Sequence, residues 1–306
     1  MPDKPLVSVC LLSYNLEHFI GKVINSVINQ TFRDFEFIIS DDCSTDESWD
    51  LIKGYSGKYD FIRPFKQEKN IGMAKNANFC FSVAEGKYIA LLSHDDPIHP
   101  TLLEKWLKVI EKDENISFVF NDYLIKGGIA SHKDEKRNFK EVMDGNWFLK
   151  KHLLKYWGCP IRIGAFLRKS SIDKAGGMDE KFGILADVDL WMRLSANYKI
   201  GYVSEPMIEV FSVWKEDYPE DYISFSWHRL FLLFDIHAEN IKRVCGWNIY
   251  RWFLFRLRVN FNLFKWISYA VIKRKKEIII NSGMIKNDYE FLILKIYRSL
   301  IKRIFS

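Results

Sequence analysis

Val7-Ser-Val-Cys-Leu-Leu-Ser-Tyr-Asn15 decides how the rest of the chain is read. Seven residues of buried-strand type stop at the polar pair Tyr14-Asn15, and apolar positions then recur at helical spacing: Phe19, Ile20, Val23, Ile24, Val27 and Ile28. The period changes from that of a strand to that of a helix. Residues 35–40 (FEFIIS) repeat the strand signal. Asp41-Asp42-Cys43-Ser44-Thr45-Asp46 then supply the carboxylates and hydroxyls that suit a loop and a helix N-cap before residues 48–52. A third strand over 61–66, a helix over 72–84 and a fourth strand over 87–92 continue the alternation. The next helix starts near Pro100 and carries Leu102, Leu103, Trp106, Leu107 and Ile110 on one face. Strands that alternate with helices predict an α/β fold with a mainly parallel central sheet.

Beyond a strand over 116–125 the pattern loosens into a polar loop over 127–140, a helix over 144–156 and strand-like stretches at 161–168 and 199–213. This half is expected to complete the sheet and form the second side of a cleft. The chain has 306 residues, 48 % hydrophobic and 27 % charged, with an aromatic content of 16 %, so most of it is expected to fold around a core. Five cysteines, odd in number and without Cys-x-x-Cys spacing, argue against a disulfide framework or a zinc site. With no signal-like stretch before residue 7, a reducing cytosol is the expectation. The net charge of +6 conceals an asymmetry: residues 241–306 hold fifteen Lys/Arg against three Asp/Glu. Two regions with different partners follow.

In a parallel α/β sheet, ligands bind beyond the carboxyl ends of the strands, where strand order reverses. Asp41 and the pair Asp95-Asp96 fall at such ends. Adjacent carboxylates repel unless a cation or donors share the site, and a small set of hard oxygens suits Mg²⁺ or Mn²⁺. Taken alone, Asp95-Asp96-Pro97 reads equally as a turn with a helix cap.

The motifs taken together resemble a family. Val7-Ser-Val-Cys-Leu-Leu-Ser-Tyr-Asn15, Ile39-Ser-Asp-Asp-Cys-Ser-Thr-Asp46, Asn70-Ile-Gly-Met-Ala-Lys-Asn76 and Gly86-Lys-Tyr-Ile-Ala-Leu-Leu-Ser-His-Asp-Asp96 resemble, in order and spacing, the motifs of the family-two inverting glycosyltransferases of bacterial surface-polysaccharide type. The resemblance covers roughly residues 5–215. It implies a GT-A fold with a Rossmann-like central sheet over residues 1–215, divided into a nucleotide-sugar-binding half (1–125) and an acceptor-binding half (126–215). Residues 216–306 are expected to form a helical basic and aromatic extension.

Position by position, the resemblance implies that Ser13 and Tyr14 line the nucleobase pocket and that Asp41 accepts a hydrogen bond from the base. It implies Glu17 as a further nucleotide contact. Lys75 stands where the family often has Arg and approaches the nucleotide or its phosphates, without the bidentate fork of Arg. Asp96 is implied as the direct ligand of Mn²⁺ or Mg²⁺, with Asp95 nearer the ribose or a metal-bound water. Ser93 departs from the pattern, where many members carry another Asp.

Ala186-Asp-Val-Asp-Leu-Trp-Met-Arg193 resembles the family's acidic segment on the acceptor side, with Ala186 in place of Glu. Asp187 is then implied as the general base for an acceptor hydroxyl. The alternative is that Asp187 and Asp189 only cap their helix. The Gln-x-x-Arg-Trp signature of processive synthases is absent, so one sugar per encounter is expected. Two rival functions remain open here: a nucleotidyltransferase of sugar activation, which would release pyrophosphate, and a non-catalytic glycan-binding relative.

In the extension, Arg251, Arg256, Arg258 and Lys265 interrupt the apolar run 246–272, so no transmembrane helix is expected. Arg251, Arg258 and Lys265 recur every seven residues among Trp252, Phe253, Phe255, Phe261, Phe264 and Trp266, and Lys273-Arg-Lys-Lys276 follows. Basic amphipathic helices with aromatic anchors suit an anionic membrane surface. Nucleic acid is not expected as a partner, since no recognisable module accompanies the charge. The expected reaction moves a sugar from a nucleotide donor, UDP-linked, to a saccharide acceptor on a lipid carrier at the cytoplasmic face of the inner membrane, for O-antigen or capsule assembly.

Overall fold

The computed structural model describes residues 4–92, 96–126, 138–154, 159–161, 164–211, 227–245 and 249–272. The chain divides into two compact units, Met1–Trp214 and Lys215–Ser306. In the first unit β1 (Val7–Ser13), α1 (Ile20–Ile28), β2 (Phe35–Asp41), α2 (Ser48–Ser56), β3 (Ile62–Lys66), α3 (Met73–Val83), β4 (Tyr88–Leu92) and α4 (Leu102–Ile110) follow one another in strict alternation. Next come β5 (Ile116–Lys126), β6 (Val142–Asp144), α5 (Gly145–Phe148), β7 (Gly164–Arg168), α6 (Lys169–Ala175), α7 (Ala186–Asn197) and β8 (Lys199–Phe211).

Eight strands form one sheet in the order β3-β2-β1-β4-β7-β5-β8-β6. Strands β1 to β3 pair in parallel, β4 joins β1 in parallel, and β5 pairs in parallel with β8. Strands β7 and β6 run the opposite way against their neighbours. Six strands therefore share one direction, and the GT-A α/β expectation holds. Strand order reverses between β1 and β4, because β2 leaves β1 on one side and β4 returns on the other. The carboxyl ends of β1, β2 and β4 thus frame a crevice.

The core explains the alternation. Val7, Val9 and Leu11 of β1 share a cluster with Ile20, Val23, Ile24 and Val27 of α1 and with Leu102, Leu103, Trp106, Val109 and Ile110 of α4. Each such side chain contributes about 1.5–3 kcal/mol by leaving water. The other face of β1 meets α3, where Cys10 and Cys80 are both fully buried and interact. Phe166 of β7 stacks on Tyr88 of β4 at 5.4 Å and on Trp106 of α4 at 5.7 Å, tying the antiparallel strand to the parallel part. Gly164 opens β7 with φ +124°, and a Cβ there would lie 2.2 Å from the Leu91 carbonyl, so only glycine lets β7 approach the end of β4 this closely.

Two sequence readings change. The helix expected over 144–156 is only one α-turn, α5, followed by five residues, Leu149–Leu153, wound wider: Leu154 N–H donates to the Leu149 carbonyl at 2.8 Å. Strand β6, three residues long, falls between the expected polar loop and the start of the expected helix, and it survives as an edge by pairing with β8. The loop at 127–137 lies outside the described residues, as do Ser93, His94 and Asp95.

In the second unit, α8 (Trp227–Cys245) and α9 (Ile249–Ile272) are the described helices. No described helix is long and apolar enough to cross a membrane. His237 of α8 is buried, and burial first, with the Arg258 charge of α9 second, pushes its imidazole down to about 3.

Candidate functional site

The site grows from two loops that follow β1 and β2. Ser13 and Asp41 are register partners at the two strand ends, and Asp42 N–H donates to the Ser13 carbonyl at 2.8 Å. Past them the loops are stitched together. Asn15 N–H donates to Ser44 Oγ at 2.9 Å, Leu16 N–H to Ser48 Oγ at 2.7 Å and Glu17 N–H to Asp46 Oδ2 at 3.0 Å. In return Thr45 N–H donates to Asn15 Oδ1 and Glu47 N–H to Glu17 Oε2, each at 2.9 Å. Asn15 (φ 51°) and Cys43 (φ 62°) hold left-handed backbone that non-glycine residues seldom adopt, which the stitching over-determines.

The expected nucleotide residues Ser13, Tyr14, Glu17 and Asp41 stand here, while Asp95 lies outside the described residues. Asp41 is fully buried and accepts from the Ser44 hydroxyl at 2.5 Å and from Ser44 N–H at 2.9 Å. A base contact would therefore use its remaining lone pairs. Ser13 Oγ is buried and has no hydrogen-bond partner among the described residues, which costs free energy unless a ligand supplies one. Tyr14 is half-buried beside it in sequence. Glu17 is occupied by Glu47 N–H and lies 3.4 Å from His18, so it stands in the loop clasp.

Asp42 was read from sequence only as a loop or capping group; the structure gives it a larger task. Its Oδ1 accepts from Ile71 N–H at 2.7 Å and its Oδ2 from Gly72 N–H at 2.9 Å. Gly72 (φ 83°) then turns the chain into α3. The start of α3, and Lys75 in its first turn, is thereby pinned to the end of β2. Asp42→Ala removes two charge-assisted bonds and is expected to cost about 2–4 kcal/mol in a thermal melt and to raise KM for the donor.

Lys75 Nζ lies 3.6 Å from Glu180 Oε2, both half-exposed, so the pair adds little stability. Its value is geometric, since Glu180 begins the tight turn Glu180–Leu185 that leads directly into α7. A set of partly buried polar contacts reinforces the junction. Asn78 of α3 exchanges two hydrogen bonds with the Met178 backbone, at 2.8 and 2.9 Å. Arg193 of α7 donates to the Ala175 and Gly177 carbonyls and, through Nε, to Asp189 Oδ2 at 2.6 Å. Asp189 is fully buried. It does not cap α7, because the cap position is Leu185 and Asp189 lies inside the first turn. The i,i+4 spacing of Asp189 and Arg193 was the visible signal for this pair. No sequence signal links Asn78 to Met178, a hundred residues away.

Asp187 sits in the first turn of α7. It keeps part of its surface exposed, yet the protein packed around it pushes its carboxyl up to about 6. The Val188 N–H, at 2.7 Å, its own N–H and the Trp191 side chain one turn on donate to it and hold the rise in check. A carboxyl titrating there suits general-base chemistry near neutrality.

Asp96 is 4 % exposed and follows the end of β4 by four residues. Among the described residues no three His, Cys, Asp or Glu side chains gather to chelate a metal. A single buried carboxylate oxygen donor at this place still fits Mg²⁺ or Mn²⁺, which commonly take one or two carboxylates and complete their shell with phosphate oxygens and water. His99 is engaged with Thr101 Oγ1 at 3.0 Å.

Comparison with known proteins agrees with this architecture. Residues 8–174 match Glycosyl transferase family 2. An uncharacterized glycosyltransferase of Methanocaldococcus jannaschii is 34 % identical over 263 residues, spanning 83 % of this chain and 86 % of its own. The crystal structure of Staphylococcus aureus TarS 1–349 in complex with UDP-GlcNAc superposes with a TM-score of 0.66 at 18 % identity, covering 83 % of this chain and 71 % of that one. A mannosyltransferase of Pyrobaculum calidifontis in complex with GDP-Man and Mn²⁺ superposes with a TM-score of 0.51 at 13 % identity, covering 81 % and 77 %. At such identities the structural likeness speaks for the fold.

Proposed function

The chain belongs to glycosyl transferase family 2 and is a glycosyltransferase, and from that premise we propose an inverting transfer of one sugar per encounter from a UDP-sugar to a saccharide acceptor. Ser13, Tyr14 and Asp41 receive the base, with Asp95 nearer the ribose. Lys75, on the helix pinned by Asp42, faces the diphosphate, and Glu17 supports the clasp. Asp187 takes the proton from the acceptor hydroxyl as its oxygen attacks the anomeric carbon from the face opposite the leaving diphosphate, so one displacement inverts the centre. Asp96 would hold a divalent cation directly, with Asp95 nearer the ribose or a metal-bound water, and when bound that ion would supply positive charge against the diphosphate. The observation that carries this reading is Asp187, raised to about 6 on a helix whose leading turn meets the first turn of α3 through Lys75 and Glu180. Support for UDP comes from the UDP-GlcNAc bound to the similar TarS structure, and support for a metal from the Mn²⁺ of the mannosyltransferase.

The acceptor is proposed to ride on a lipid carrier, with the enzyme peripheral at the cytoplasmic face of the inner membrane during surface-polysaccharide assembly. A screen of nucleotide sugars for release of nucleoside diphosphate, with and without lipid-linked saccharides, tests the whole reading. Release is expected with one UDP-sugar and to fall at least about tenfold with EDTA and in Asp96→Ala. Pyrophosphate release from a nucleoside triphosphate would instead identify a nucleotidyltransferase, and ligand binding without turnover a glycan-binding protein.

A further inference from the structure

Helix α9 carries four basic residues and no acidic one in 24 positions. Its described side chains sort onto opposite faces. Phe255, Val259 and Leu263, spaced by four, are at most 5 % exposed. Tyr250, Phe253, Leu254, Leu257, Phe261 and Phe264, spaced by three, four and seven, are 41–67 % exposed and form one outward stripe. The sequence had grouped Phe255 with Phe253, Phe261 and Phe264; burial separates it from them. Arg258 and Lys265 fall along one border of the stripe and Arg256 on the other, as their positions on a 3.6-residue helix require.

An exposed apolar stripe about 20 Å long, from Tyr250 to Phe264, is more than isolated surface residues need. Its rim narrows the choice of occupant. A second copy of α9 would bring four basic residues against four, with no acidic residue on either helix to answer them. A nucleic acid would answer the charge and leave the aromatics in water. An anionic lipid surface answers both, taking rings and leucines into the acyl boundary while Arg and Lys reach headgroup phosphates.

We propose that the Tyr250–Phe264 face of α9 is a docking surface for anionic lipid, on which the helix lies in the plane of the interface. The inference rests on the membrane placement proposed above and names the surface that achieves it. The excess of twelve positive charges over residues 241–306 adds long-range attraction to the same partner.

The test is flotation of the full chain with vesicles of phosphatidylglycerol and phosphatidylcholine, and with phosphatidylcholine alone. Binding is expected to the first and to weaken in high salt. The double variant Tyr250→Ser/Phe261→Ser removes the two most exposed rings, and its bound fraction is expected to fall about tenfold or more. Release of nucleoside diphosphate with a water-soluble acceptor is expected to be unchanged, so a failure of the transferase reading shows separately as absent turnover in both proteins. Undiminished flotation of the variant, or equal binding to both vesicle types, overturns the proposal. So does a parent that is dimeric by light scattering and becomes monomeric in the variant without loss of flotation. Should the double variant not melt cooperatively, Phe261→Trp is read instead: brominated acyl chains are expected to quench its added fluorescence, and no quenching overturns the proposal.

Discussion

Asp187→Asn is expected to lower transfer by about 10²–10⁴-fold, the range a positioned general base contributes, while donor binding is kept. Near-normal transfer by the variant would remove Asp187 from the mechanism. The acid limb of the wild-type rate profile is expected near 6, because the base works only when ionised and its carboxyl is raised to about 6 by burial, against hydrogen bonds from Val188, its own N–H and Trp191. The same shift predicts a stability signature of opposite sign. The folded protein holds this proton more tightly than the unfolded chain, whose carboxyl titrates at the usual 3.8. From pH 3.8 upward the ionising group increasingly opposes folding, and the full penalty is present above about 6. Asp187→Asn should therefore melt higher than wild type at pH 7.5 and at the same temperature near pH 3.5. A variant that loses activity and also melts lower at pH 7.5 would point to a structural carboxylate.

The second large effect is expected at Arg193. Its Nε bonds to the fully buried Asp189, and its two Nη atoms reach the Ala175 and Gly177 carbonyls. Arg193→Met strands a buried charge, a change that typically costs about 3–5 kcal/mol. In a unit of this size that amounts to a fall in Tm on the order of 10 °C. Adding Asp189→Leu removes the stranded charge and is expected to recover more than half of the loss, since a buried pair and an apolar replacement are often close in free energy. If Arg193→Met melts within about 1 °C of wild type, α7 is anchored by other contacts.

The parallel part of the sheet could be read from residues alone because β1, β2 and β4 are buried on both faces and each of them is followed by a helix. Val7–Ser13 was legible to the residue, and the other boundaries moved by a few positions at most. The part of this unit beyond β5 was not so legible. Its edge strand β6 is too short for a period to register, and the wide turn Leu149–Leu153 keeps helical side-chain spacing while changing its backbone bonds. The carboxylates stood out as residue types, but their division of labour did not. Asp42 spends both oxygens on the backbone of residues 71 and 72, and Asp189 on an arginine, and neither commitment can be seen without the fold. Asp187 differs from Asp189 by two positions in the sequence and by its surroundings: backbone N–H groups and Trp191 beside the one, Arg193 beside the other.

The clasp between the loops after β1 and β2 has a consequence for how the donor is selected. Asn15, Leu16, Glu17, Thr45 and Glu47 already anchor the two loops to each other through backbone donors, including the left-handed Asn15 that no single contact would hold. Most of the conformational entropy of these two loops was therefore surrendered when the chain folded. If the nucleoside binds here as proposed, donor binding should cost little ordering at this end, and discrimination among bases should be a rigid-template property, weakly dependent on temperature.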